Sequence, residues 1–296
     1  MFCQGVCLLV ADRYLVILVM QCYNAGKGVM AMPKFGMPAL IELDTVQEHA
    51  ALCGELGLDF VELNTNFPMQ QIHKLDAKEL NRLAEAYQIG YTIHLNDDLP
   101  VADFNPGVAK AYCQSVLDAI EFSKKIGCKV LNLHIAEGAH YTTPSRIVYF
   151  YEAYKEDYLQ GMADFRDACE AAVGDSGIRI CMENSKAYFD FQKEALDLLL
   201  QSPVFFLTLD IGHNHCSGYA DEGWIRERAN RLRHMHMHDA KGSKQDHQPL
   251  GQGEMDIPAY LELARQCCDT VLLEVKTVEG LRSSVAWLRE REKHGL

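Results

Sequence analysis

Four residues in the second half of the chain carry side chains that could hold a divalent cation together: Glu183, Asp210, His236 and Glu274. Three carboxylates and one imidazole suit Mn²⁺, Co²⁺, Mg²⁺ or Zn²⁺, and no thiolate stands among them to select a softer site. Each sits near the end of a short segment of alternating hydrophobic residues. Ile180 and Met182 precede Glu183, and Leu207 and Leu209 precede Asp210. Met235 and Met237 flank His236, and Leu273 and Val275 flank Glu274. One Glu at a strand end is commonly a surface or ion-pair group, and one His, such as His213, is commonly a hydrogen-bonded core residue. Four such residues on successive segments call for another explanation, because buried charge is costly unless it is paired or metal-bound.

The elements that must position them follow from the same alternation. Strands are predicted at about 34–40, 58–64, 90–96, 128–136, 178–184, 204–211, 232–239 and 270–276, with amphipathic stretches between them. In 107–127, Tyr112, Val116, Ala119, Ile120 and Ile126 share one helical face. Thr143–Pro144 and Asp256–Ile257–Pro258 read as helix starts with proline in the first turn. Eight strand–helix units with no dividing linker predict a single-domain α/β fold, the (β/α)8 TIM barrel. The longest insertion, 137–160, carries Tyr141, Tyr149, Phe150, Tyr151, Tyr154 and Tyr158, read as packing over helices rather than as a lid.

Neighbouring residues of a strand point to opposite faces. His94 and Asn96, Asn132 and His134, Glu183, Asp210, His234, His236 and His238, and Glu274 and Lys276 all oppose apolar neighbours. The apolar face must meet the outer helices, so the polar face points into the barrel. Its ionisable members crowd the C-terminal strand ends, where barrel active sites lie. His234 shares that face two residues lower and reads as structural. Gly251-Gln252-Gly253 reads as a tight turn rather than a phosphate cradle.

Composition sets the partners. A hydrophobic share of 48% and a charged share of 23% are those of an ordinary globular protein. Acidic residues outnumber basic ones by 41 to 28, a net charge of −13, which disfavours a nucleic-acid grip and favours a small-molecule partner. No stretch approaches the ~20 apolar residues of a membrane span. The 11 cysteines are scattered without a CxxC pair, and read as reduced thiols in a cytoplasmic setting, small core residues rather than nucleophiles. The apolar run Tyr14 to Met20 follows Asp12 and Arg13 with no basic region before it, and does not read as a signal peptide. The domain is read as 32–296, with 1–31 an extension of unassigned role. A homo-oligomer is left open.

Seven segments, in this order and spacing, make the chain recognisable: "YTIHL", "LNLH", "MEN", "LDIGHNH", "HMHDAK", "DHQPLGQGEMD" and "LLEVK". Over residues 33–293 the chain resembles the xylose-isomerase-like barrel superfamily, which holds sugar isomerases and epimerases and also class II apurinic endonucleases. In the isomerase branch the resemblance implies that Glu183, Asp210, His236 and Glu274 bind one metal. His213 would touch substrate, together with Glu62, His94, His134, His247 and Lys276. The implied chemistry is proton transfer by Glu183 and Glu274 from opposite sides of a sugar, sugar phosphate or related keto or polyol compound, with the metal offsetting the charge of an enediolate. Lys186, Lys241 and Lys276 are available to a phosphate.

The endonuclease branch implies up to three zinc ions on His94, His134, Glu183, Asp210, His213, His236, His247 and Glu274. A ninth ligand of that pattern, an Asp, is replaced by Gln245, with Asp246 one residue out of register. The loop Asn96-Asp97-Asp98, followed by Asp103, is acidic where a DNA phosphate would approach, so phosphodiester hydrolysis ranks second. A non-catalytic metal- or sugar-binding barrel ranks third, since both proton-transfer glutamates are present.

Overall fold

The computed structural model describes residues 32–97 and 99–293. The reading of 1–31 as an extension falls on residues outside these. Eight parallel strands close on themselves: β1 Lys34–Pro38, β2 Phe60–Asn64, β3 Gly90–His94, β4 Val130–His134, β5 Arg179–Glu183, β6 Phe205–Asp210, β7 Leu232–Met237 and β8 Thr270–Leu273. Each pairs with its neighbours in sequence, and β8 returns to β1, so the barrel has no free edge.

The register places inward residues beside inward residues around the ring. His94 pairs with Asn132, His134 with Glu183, Glu183 with Thr208, and Asp210 with His236. The alternating apolar residues Ile93, Leu131, Leu133, Ile180, Leu207, Leu209, Met235 and Val271 are almost fully buried on the other face, against the helices.

The main helices are α1 Val46–Glu55, α2 Ala77–Tyr87, α3 Pro106–Ile126, α4 Lys155–Val173, α5 Asp190–Leu199, α6 Glu222–Glu227, α7 Ile257–Cys267 and α8 Val278–Lys293, with short helical turns at Phe150–Ala153 and at Ile211–Cys216, which carries His213. Their starts follow local chemistry. Thr45 and Glu48 form a reciprocal capping box at α1, and Asn105 caps α3 ahead of Pro106. Asp256 caps α7 with Pro258 in its first turn, as the sequence predicts.

Thr143–Pro144 does not start a helix. It lies in the turn of a hairpin that pairs His140–Thr142 with Ile147–Tyr149. The Thr143 hydroxyl accepts the backbone N–H groups of Ser145 and Arg146 and turns the chain back. The aromatic residues of this insertion divide. Tyr151 and Tyr158 are buried and stack at 4.2 Å, whereas Tyr141 and Tyr154 are exposed. Among the described residues no helix is long and apolar enough to cross a membrane. Cys53, Cys128, Cys169, Cys181 and Cys268 are buried free thiols, and burial pushes the thiol of Cys53 up to about 12.

Candidate metal centre

Glu183 ends β5, Asp210 ends β6, His236 lies one residue inside the end of β7, and Glu274 follows β8. One ligand atom from each lies within 4.8 Å of all the others, and all four residues are buried. His236 Nδ1 is 3.2 Å from Glu183 Oε1, 3.1 Å from Glu274 Oε2 and 3.9 Å from Asp210 Oδ2. Neither Glu183 Oε1, Glu274 Oε2 nor His236 Nδ1 has a hydrogen-bond partner. Acceptor atoms facing one another in a dry interior need a positive charge between them. In this donor set that charge is either protons on the imidazoles or a cation, so the residues present fit a divalent metal.

The histidines record the same demand. Burial alone would lower their basicity, but the carboxylates outweigh it. Glu183 and Glu62 carry His94 up to about 9, Asp210, Glu183 and Glu274 carry His213 up to about 10, and Glu183, Glu274 and Glu62 hold His236 well above its ordinary range. Against their own burial, Glu183 and Glu274 are held well below the carboxylate range, Glu183 mainly by His236 and His134, and Glu274 by Lys276 and His236.

The other residues named from the sequence gather around these four in different ways. His94 Nε2 and His134 Nε2 approach the second oxygen of Glu183, Oε2, at 3.3 and 3.2 Å. His94 Nδ1 donates to the Leu95 carbonyl at 2.7 Å, so its Nε2 is the nitrogen free to act as a ligand. His213 Nδ1 is 3.2 Å from Asp210 Oδ2 and 3.7 Å from Glu183 Oε1. His247 Nδ1 donates to the Glu274 carbonyl at 2.9 Å, and its backbone adopts a positive φ of 51°, uncommon for a residue with a side chain. Burial brings His247 down to about 4. Lys276 Nζ sits 2.6 Å from Glu274 Oε1.

Glu62 approaches His236 and also lines a cavity beside the cluster. It is 2% exposed, 3.3 Å below His236 Nε2, 3.2 Å from His234 Nε2, and accepts from the Thr92 hydroxyl at 2.8 Å. His234 is the structural histidine the sequence suggests, its other nitrogen 2.7 Å from Thr270 Oγ1.

Several residues given no role from the sequence also belong here. Asn132 donates to Glu183 Oε2 and accepts from the Thr208 hydroxyl. Asn184 holds the Asp210 backbone through its amide, at 2.9 Å in both directions. Strand parity aims Asn132 and Thr208 inward, and that was the available signal. Asp239 had none. Its carboxylate accepts the backbone N–H groups of Ala240, Gly251 and Met255. The amides of Gly251 and Gln252 are therefore already taken, by Asp239 and by the Pro249 carbonyl. Gly251 has φ 79°, and a Cβ there would lie 2.2 Å from the Trp287 ring nitrogen. Asp239→Ala is expected to cost about 1–3 kcal/mol in urea unfolding and to speed hydrogen exchange at Gly251 and Met255. Unchanged exchange at both amides would refute this assignment.

Two cavities flank the cluster. One of about 110 Å³ is lined by Glu62, Asn64, Phe67, His94, Glu274 and Lys276 among others. One of about 540 Å³ runs from Asp97 and His134 out to His140 and to Lys186, which is paired with Glu137 at 3.0 Å. A further cavity of about 640 Å³ beside α3 holds none of the ligand atoms.

Comparison with known proteins agrees with this architecture. A protein of Methanocaldococcus jannaschii described as uncharacterised is 23% identical over 215 residues, 70% of this chain and 80% of that protein. Among solved structures, a D-tagatose 3-epimerase-like protein superposes with a TM-score of 0.71 at 22% identity, covering 88% of this chain and 97% of its own. The IolI protein with a bound zinc atom superposes with a TM-score of 0.69 at 15% identity, covering 87% and 97%. The family described as xylose isomerase-like TIM barrel matches residues 50–291. With its closed ring of eight parallel strands, this chain belongs to the xylose isomerase-like TIM barrel family.

Proposed function

We propose that the chain, with 32–296 as its functional unit, is a metal-dependent isomerase or epimerase of a small sugar or a related keto or polyol compound. The observation that carries this reading is the convergence of unpartnered ligand atoms of Glu183, His236 and Glu274, with Asp210 beside them, at the C-terminal end of the barrel. These four residues would hold one divalent ion, Mn²⁺, Co²⁺, Mg²⁺ or Zn²⁺. A bound cation would attract a carbonyl and its neighbouring hydroxyl oxygen and offset the negative charge that develops when the adjacent C–H proton leaves. The sugar epimerase and zinc-bound relatives of the same fold support both the substrate class and the ion.

The chain's own residues supply the proton transfers. Glu183 and Glu274 reach the centre from β5 and from the end of β8, with β6 and β7 between them on the ring. A substrate carbon between them would meet a carboxylate on either side, one to remove a proton and one to return it. Asn132 fixes the rotation of Glu183, and Lys276 keeps a transferable proton 2.6 Å from Glu274. His94, His134, His213 and His247 line the rest of the opening and would bind substrate hydroxyls.

A second reading has its own observation. Glu183 presents its second oxygen to both His94 and His134, and Asp246 Oδ2 comes within 3.9 Å of His213 Nε2, so ligand atoms exist for more ions, as a zinc phosphodiesterase of abasic DNA would need. Protein purified without chelators should be analysed for metal content and incubated with ketoses and aldoses in D₂O. About one ion per chain, with deuterium appearing beside the carbonyl, is the expected result. Two or three zinc ions, no exchange and cleavage of abasic DNA would overturn the first reading in favour of the second.

A further inference from the structure

His238 lies one residue beyond β7 and is fully buried. Its Nδ1 accepts the backbone N–H of His247 at 2.7 Å. Its Nε2 faces both oxygens of Asp210, at 3.0 and 3.2 Å. A backbone N–H always donates, so Nδ1 must present its lone pair there and the ring proton must sit on Nε2, aimed at the carboxylate. Nδ1 also lies 3.2 Å from the Asp239 carbonyl, but a proton placed for that contact would collide with the amide hydrogen of His247. Both ring nitrogens are thus committed, and His238 has no lone pair left for a metal although it stands beside His213 and His247.

The ring reaches Asp210 only because residue 212 is glycine. A Cβ on Gly212 would fall 1.9 Å from His238 Cε1 and 2.3 Å from Nδ1. Asp210 Oδ1 is then held from two directions, by His238 and by the His213 backbone N–H at 2.7 Å, which leaves Oδ2 turned toward His213 Nδ1 and His236.

We propose that His238 is a positioning residue that orients Asp210 as a cation ligand and ties that orientation to the loop carrying His247, with Gly212 supplying the space. This rests on the reading of Asp210 as a ligand. Outer partners of this kind commonly change metal affinity by about 10–100-fold when removed.

Glutamine places an amide N–H₂ where Nε2 stands, and asparagine places a carbonyl oxygen where Nδ1 stands, so the two substitutions separate the two roles. In titrations with Co²⁺ followed by its visible spectrum, His238→Gln is expected to bind close to wild type. His238→Asn and Gly212→Ala are expected to bind about 10–100-fold more weakly with an altered spectrum. Wild-type affinity in His238→Asn or Gly212→Ala, or equal weakening by Gln and Asn, overturns the proposal. Nitrogen NMR of the wild-type protein without metal is an independent test, with the Nε2–H form expected and the Nδ1–H form fatal to the assignment. If the wild-type protein binds no cation, the ligand reading of Asp210 fails, while the NMR result still decides how His238 is held.

Discussion

Replacing Glu183 or Glu274 with Gln is expected to remove turnover of any sugar substrate by about a hundred- to ten-thousand-fold, the range typical of a lost proton-transfer group. Gln keeps the volume and one oxygen of each side chain, so the barrel should stand and far-ultraviolet circular dichroism should not change. The two variants should nevertheless differ. Glu183 Oε2 already accepts the Asn132 amide and faces His94 and His134, so the N–H₂ group introduced by Glu183→Gln must turn either toward Asn132 or toward the centre. Glu274 shares its Oε1 with Lys276, whose side chain is half exposed, so water can take over the ammonium when Gln replaces this Glu. Glu183→Gln, in the fully buried place, should therefore lose more thermal stability than Glu274→Gln. Near-wild-type activity in either variant would rule out the two-glutamate mechanism.

Stripping divalent ions is expected to make stability fall as the solution becomes alkaline. His94 and His213 are raised from an ordinary 6.5 to about 9 and about 10 in the folded chain. A group whose folded value is raised contributes stability fully present below its unfolded value and lost as pH climbs through the folded value. The metal-free protein should thus lose stability progressively between pH 6.5 and about 10, as protons leave imidazoles still surrounded by carboxylates. At roughly 1.4 kcal/mol per pKa unit, His94 alone would account for on the order of 3 kcal/mol. A bound cation takes the place of those protons, so the loaded protein should hold its melting temperature across the same interval, and uptake of the ion should release protons. Melting curves with chelator and with Mn²⁺ at several pH values would show it. Parallel pH profiles would mean that the cluster does not exchange protons for a metal.

The eight strands, their inward faces and the convergence of Glu183, Asp210, His236 and Glu274 could be read from alternation, because parity decides which side chains enter a barrel. What parity does not carry is depth. Glu62 faces inward beside its register partner Thr92, two residues before His94, and still meets both His236 and the cavity lined by His94, Glu274 and Lys276. Depth comes from the stagger between strands, which no single strand encodes. Thr143–Pro144 misleads for a different reason. A hydroxyl that can cap a helix can equally close a hairpin turn, and the pairing of Tyr141 with Val148 decides between them. His238 falls on the inward face in the sequence, but its reach to Asp210 depends on the missing side chain of Gly212, a tertiary coincidence that no local pattern announces.

The layer of Thr92, Glu62, His234 and Thr270 closes the barrel directly beneath His236. On the proposed function, ion and substrate would then share one doorway. A sugar seated over the ion would act as its stopper, so metal exchange should slow in the presence of substrate, and a chelator should inactivate the protein faster without substrate than with it.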